Sequence, residues 1–378
     1  MHGTRFSQHL HTTLFPPVFS LILLITLFAS PIRGQEKEAH LSLSQPLTIK
    51  WAYLSDATIN LTPITDGDHI YLPLASGVIT SLNATDGKLI WKTDLGGEIS
   101  SSPTADGNAV YIASKSLEDQ KSTRQPTGSI RALGREGGIT LWMRMLPMPI
   151  RGTLIESGPN LYGGASDGRV YAFKKRTGDI VWTLQYSSPF ASSPIIAGAR
   201  LYIGCDDGYF FALDKSNGKI IWRYQTRGPI RGRAFLSNGY VYFGSSDGYV
   251  YAVSESDGRL RWRRRTGASV QTVTGAWNGL LVASLDNFAY ALSYSNGDRL
   301  WKRQLAGRVV AEPLATLDGA LFTPLSSPIG VVLDLKSGKQ LNSLPIGEEN
   351  DLTASPIISG SLLLLTTKHG LLAFSSPK

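Results

Sequence analysis

The chain has 378 residues, 42% hydrophobic and 17% charged; that is enough apolar material for a buried core and excludes a disordered or low-complexity polymer. The formal charge is +8, unevenly spread: residues 219–265 hold ten Lys or Arg against three acids, while residues 1–34 contribute only Arg5 and Arg33. The one cysteine, Cys205, excludes an intramolecular disulfide, so the core itself must hold the fold.

The first element is an apolar run over 18–29, preceded by Arg5 and followed by Pro31, Arg33 and Gly34. It is shorter than the roughly 20 residues a membrane-spanning helix needs and has the form of a secretory signal. Residues 1–34 therefore read as a signal peptide and 35–45 as an exposed N-terminal tail. No Cys closes the run, so no lipid anchor through an N-terminal Cys is expected, and no Arg-Arg pair precedes it. The expected place is the periplasm or cell envelope, with no transmembrane span in the mature chain. That setting makes nucleic acid an unsuitable partner despite the basic charge.

From residue 46 to 376 the chain is a repeat. Trp51, Trp91, Trp142, Trp182, Trp222, Trp262 and Trp301 recur at intervals of 40, 51, 40, 40, 40 and 39. Glycine stands four residues before six of them; Gly338 keeps the phase, but Asn342 takes the Trp place. One Trp per unit of about 40 residues signals a propeller or solenoid. The clearest copy predicts strands over 192–196, 201–204, 209–214 and 219–224, joined by Asp207-Gly208 and Asn217-Gly218. Such pairs between β-branched or aromatic runs are strong hairpin signals.

Third strands recur eight times, around Leu82, Leu133, Phe173, Leu213, Val253, Leu292, Leu333 and Phe374. Only seven are followed by a fourth strand, and Ile49–Tyr53 has fourth-strand character. The expectation is all-β: an eight-bladed β-propeller of four-stranded antiparallel blades, with the N-terminal strand closing the last blade and leaving fewer open edges.

The motif Ala212-x-Asp214-x-x-x-Gly218-x-x-x-Trp222, with looser copies from Ser81, Ala132, Ala172, Ala252 and Ala291, resembles the tryptophan-docking repeat of pyrroloquinoline-quinone (PQQ) propellers. That resemblance implies that the seven Trp pack between neighbouring blades. Two groups share the repeat: quinoprotein alcohol dehydrogenases, and the non-enzymatic BamB scaffolds of outer-membrane β-barrel assembly. The first use a vicinal disulfide, a Ca²⁺ with several oxygen ligands and a catalytic Asp; this chain has one Cys, and Glu312 is the lone acid in its innermost strands. No enzyme activity and no cofactor are therefore expected, and a degenerate PQQ-dependent dehydrogenase is the remote alternative. His69, read in a loop between first and second strands, and His369, between second and third, fall on opposite faces and cannot share a metal.

Loops joining second to third strands, and one blade to the next, emerge on one face. There the 51-residue interval places a polar insertion within 114–128. Pro149-Ile150-Arg151-Gly152 follows Met143, Met145 and Met148, and Pro229-Ile230-Arg231-Gly232-Arg233 repeats it. The resemblance to BamB implies a partner-contact role for Ile150 and Arg151, and by repetition for Ile230, Arg231 and Arg233. The acidic pair that BamB carries nearby is replaced here by Ser187-Ser188-Pro189-Phe190. The expected function is an extracytoplasmic scaffold for protein partners in the cell envelope. The alternative is an acidic ligand, an anionic polymer or glycan, at the basic patch 223–265.

Overall fold

Local turn chemistry builds each sheet. In the clearest copy, Ile195–Ala197, Arg200–Gly204, Tyr209–Asp214 and Ile220–Gln225 pair in sequence order, all antiparallel. Gly208 and Gly218 close two of the hairpins with φ of 87° and 73°, where glycine meets no Cβ penalty. The computed structural model describes residues 41–116, 126–276, 279–347 and 354–377; the signal segment and the middle of the 114–128 insertion lie outside them.

Eight such antiparallel sheets follow one another, and the described residues contain no helix. We number them blades 1 to 8 and letter their strands A, innermost, to D, outermost. Blades 1 to 7 span 64–94, 97–146, 150–185, 195–225, 235–265, 270–304 and 314–345. Blade 2 has its A strand broken into Gly97–Ile99 and Thr104–Ala105. Blade 8 takes Ile357–Ser359, Leu362–Thr367 and Gly370–Ser375, and its D strand is Thr48–Leu54, with Trp51 opposite Ala373 and Ala52 opposite Leu372. The ring closes as the count of strands predicts.

A β-bulge recurs at the same point in all eight blades, just before the Trp position. In blade 4, Ala212 faces Trp222 but Leu213 faces Ile220, so Ile221 is the extra residue. Ile220 and Ile221 are both exposed, and Trp222 turns inward to 8% exposure. Its indole then reaches the next blade. Six Nε1 atoms donate to a carbonyl just past the next blade's C strand at 2.8–3.0 Å, from Trp91 to Arg135 through Trp301 to Leu335. The ring lies on the glycine of that blade's C–D turn: a Cβ on Gly218 would stand 2.5 Å from Trp182.

Blade 7 has Asn342 in place of Trp, and the N-terminal segment fills the gap. Leu43 is fully buried among Leu321, Val332, Leu344 and Leu363. Asn342 Nδ2 donates to the Leu43 and Gln45 carbonyls at 3.2 and 2.7 Å. Asp318 accepts from the Ser42 and Ser44 hydroxyls and from the Leu43 and Ser44 amides. Within the tail expected to be exposed over 35–45, residues 41–44 are thus packed and Gln45 is exposed, because an unfilled Trp socket offered Leu43 a hydrophobic seat.

Two tests follow from this geometry. Gly198, in an A–B turn, has φ of 54° and nothing within 4 Å of an added Cβ. Gly198→Ala should lose about 1 kcal/mol to backbone strain, whereas Gly218→Ala should lose about 1–3 kcal/mol more by overlap with Trp182; urea unfolding measures both. Between blades 1 and 2, Asp66 is 10% exposed and bonded to Arg135 at 2.7 Å. Burial pushes its carboxyl up, but hydrogen bonds from Arg135, the His69 amide and Tyr71 outweigh this and hold it at about 2. A depressed carboxyl stabilises the fold above its unfolded value near 4 and loses that contribution as pH falls toward 2. Asp66→Asn should therefore lose about 2 kcal/mol at neutral pH, a difference that shrinks between about pH 4 and 2.

Candidate partner-binding face

At one end of the sheets the B–C turns and the linkers entering each A strand are pinned together. The amides of Ser166, Asp206 and Ser246 donate to the carbonyls of Pro149, Pro189 and Pro229 at 3.1, 2.9 and 2.8 Å. This repeated bond fixes the loop face on which the candidate residues stand.

The two Pro-Ile-Arg-Gly copies divide their residues between inside and outside. Ile150 and Ile230 are fully buried. Ile230 packs against Gly204, where a Cβ would collide with its side chain, and plugs blade 5 onto blade 4. Ile150 sits in the cluster joining blades 2 and 3 with Ala113 and Leu154. These isoleucines, expected at a contact surface, are core residues, because the linker turns its aliphatic side chain toward the preceding blade. The arginines point out. Arg151 is exposed, and its Nε donates to Ser166 Oγ at 3.0 Å. Arg231 is 60% exposed and holds Asp206 of blade 4 at 2.8 Å. Arg233 is also exposed and, with Arg231, lines the axial channel.

The methionines are split likewise. Met143 and Met145 are half exposed on the outer strand of blade 2, and Met148 is half-buried, its sulfur accepting from the Thr127 hydroxyl at 3.3 Å. The basic patch runs round the outer rim. Arg223, Arg263 and Lys302 lie over Tyr209, Tyr249 and Phe288, a cation–aromatic pair at one level in blades 4, 5 and 6. Arg264 faces the other way: with Arg144 and Arg303, each two residues past its Trp, it donates to the C–D-turn glycine carbonyl of the next blade. These clasps went unremarked in the sequence, although an Arg at that fixed offset was the available signal.

His69 is the first residue of a B strand rather than a loop residue, buried and 3.4 Å from Asp66. Asp66 is the turn residue that caps this strand. His369 is in a B–C turn at the other end of its blade.

The channel, of about 870 Å³, is lined by the A segments of all eight blades. Quinone chemistry can be tested against its wall. Among the described lining residues Glu312 is the one carboxylate, already accepting from the Thr274 hydroxyl at 3.2 Å. Cys205 is buried inside blade 4, and burial pushes its thiol up to about 12. One carboxylate on the described wall falls short of the several a Ca²⁺ cage needs, and a single cysteine cannot form a vicinal disulfide, so the residues present do not fit a calcium-held quinone.

The sequence profile of the outer membrane protein assembly factor BamB matches residues 47–124, 126–232 and 228–377. The chain belongs to the BamB family. BamB of Shewanella oneidensis is 32% identical over 101 residues, and that of Yersinia pestis 30% over 111. These stretches are 25% and 28% of this chain and cover 22% and 25% of the two relatives. Among solved structures, BamB from Moraxella catarrhalis superposes with a TM-score of 0.73 at 16% identity, over 87% of this chain and 100% of that one. A quinohemoprotein alcohol dehydrogenase from Pseudomonas putida reaches the same TM-score at 12% identity, over 87% and 76%. At these identities the likeness is one of fold, shared by BamB and dehydrogenase alike.

The division of the motif can be checked directly. Ile230→Ala should lower the unfolding free energy by about 2–5 kcal/mol, and Arg231→Ala, in an exposed pair, by under about 1 kcal/mol.

Proposed function

We propose that the protein is a non-enzymatic, extracytoplasmic scaffold that holds a protein partner of outer-membrane β-barrel assembly on its loop face. The observation that carries this reading is the pair of exposed arginines, Arg151 and Arg231, placed at matching positions of the repeat and held by Ser166 and Asp206. A guanidinium held in place loses less entropy on binding, and arginine is enriched among residues that dominate interfaces. Membership of the BamB family supports the same assignment.

A second reading, binding of an anionic envelope polymer, is favoured by a cleft of about 440 Å³ between blades 5 and 6, lined by Arg263, Arg264, Arg265 and Arg299. One experiment separates the two. After crosslinking in the envelope of the source cells, the wild-type protein should recover a β-barrel-assembly component, and Arg151→Glu combined with Arg231→Ala should recover at least about tenfold less. Equal recovery by both proteins would sink the scaffold assignment. Retention on a polyanion without any assembly component would favour the second reading.

A further inference from the structure

Each blade places one residue at the same point of its A segment, facing the axis. In six blades it carries a hydroxyl: Thr62, Ser102, Thr153, Ser193, Thr272 and Ser355. Four of these hydroxyls link neighbouring blades by accepting an amide N–H from the blade before. Thr62 N donates to Ser102 Oγ at 3.1 Å, Thr153 N to Ser193 Oγ at 3.0 Å, Glu312 N to Ser355 Oγ and Ser355 N to Thr62 Oγ1, both at 2.9 Å.

Arg233 and Glu312 occupy the two remaining places. Arg233 has no hydroxyl to offer blade 4, so that link is forgone. The guanidinium is exposed to the channel and makes no ion pair within 4 Å among the described residues. Its neighbour Arg231 is neutralised by Asp206, which leaves the charge of Arg233 unbalanced. Glu312, on the same channel wall, makes no ion pair with it among the described residues; burial raises the Glu312 pKa, and Arg233 and the Thr274 hydrogen bond pull it back. The exchange puts a cation where six blades carry a hydroxyl. Such an exchange is expected where stability is given up for a site.

We propose that the axial channel is a binding site for a small hydroxylated carboxylate, a sugar acid, whose carboxylate takes the fork of Arg233 and whose hydroxyls bond Glu312 and the hydroxyl ring. An open guanidinium fork matches a carboxylate bidentately. The channel volume is that of small-molecule sites. The rest of the wall, serine and threonine hydroxyls beside the ring faces of Pro63, Pro103, Pro194, Pro313 and Pro356, suits a sugar's alternating hydroxyl and C–H surfaces. The inference is independent of the partner on the loop face.

The test is calorimetric titration of the purified full chain with sodium glucuronate, with glucose as the neutral control, both in the millimolar range. The wild-type protein is expected to bind glucuronate and not glucose. Arg233→Ser, which supplies the missing hydroxyl, is expected to keep or raise the thermal midpoint and to weaken glucuronate at least about tenfold. Absence of glucuronate binding, equal binding of glucose, or undiminished binding by Arg233→Ser would each overturn the proposal. So would a marked fall in the thermal midpoint of that variant, which would make the arginine a structural residue.

Discussion

The contact on which the molecule depends is an indole lying flat on a glycine of the following sheet. The bulge turns the Trp out of its own blade, the absence of a Cβ lets the ring approach, and an N–H to a turn carbonyl fixes its angle. Each joint joins only neighbouring units, as in other repeat proteins, and closure adds one more, where the Trp51 ring of blade 8 lies on Gly87 of blade 1. The arginine clasps of Arg144, Arg264 and Arg303 reinforce the same turn from outside.

One joint is built differently, and it shows how much freedom the design leaves. Asn342 cannot fill an indole's space, so Leu43 enters the core there while Asn342 and Asp318 hold its backbone. A socket vacated by one residue is filled by a segment nearly three hundred positions away. The loop face and the axis follow the same rule of a common frame with local exceptions: the aliphatic plugs Ile150 and Ile230 stay inside, while Arg151, Arg231 and Arg233 stay exposed.

The fold was legible because its signals are local and repeated. Asp207-Gly208, Asn217-Gly218 and the spaced tryptophans each specify a turn or a joint without reference to distant residues, and eight copies average out the exceptions. The seat of Leu43 was not legible, since its partners Asp318 and Asn342 are remote and a Leu-Ser alternation reads as a loose tail. The burial of Ile150 and Ile230 was missed because the sequence gives no sense of which way a linker residue turns. The broken hydroxyl ring could have been found in the sequence, since Arg233 and Glu312 stand at the same distance past Trp222 and Trp301 as Ser193 does past Trp182; what the sequence lacked was any sign that this position faces the axis.

Closure by Thr48–Leu54 on Gly370–Ser375 sets an order of events on the growing polypeptide. The first strand of the propeller to be synthesised must wait for its place, because the strand it pairs with is made some three hundred residues later. Such a pairing has a very high sequence separation, and long-range pairings of this kind slow folding. Until then blade 8 presents an unfinished edge, and the nascent chain is open to foreign strands at its newest end. The architecture that leaves the finished ring so few edges thus concentrates its vulnerability in the interval before the two ends meet.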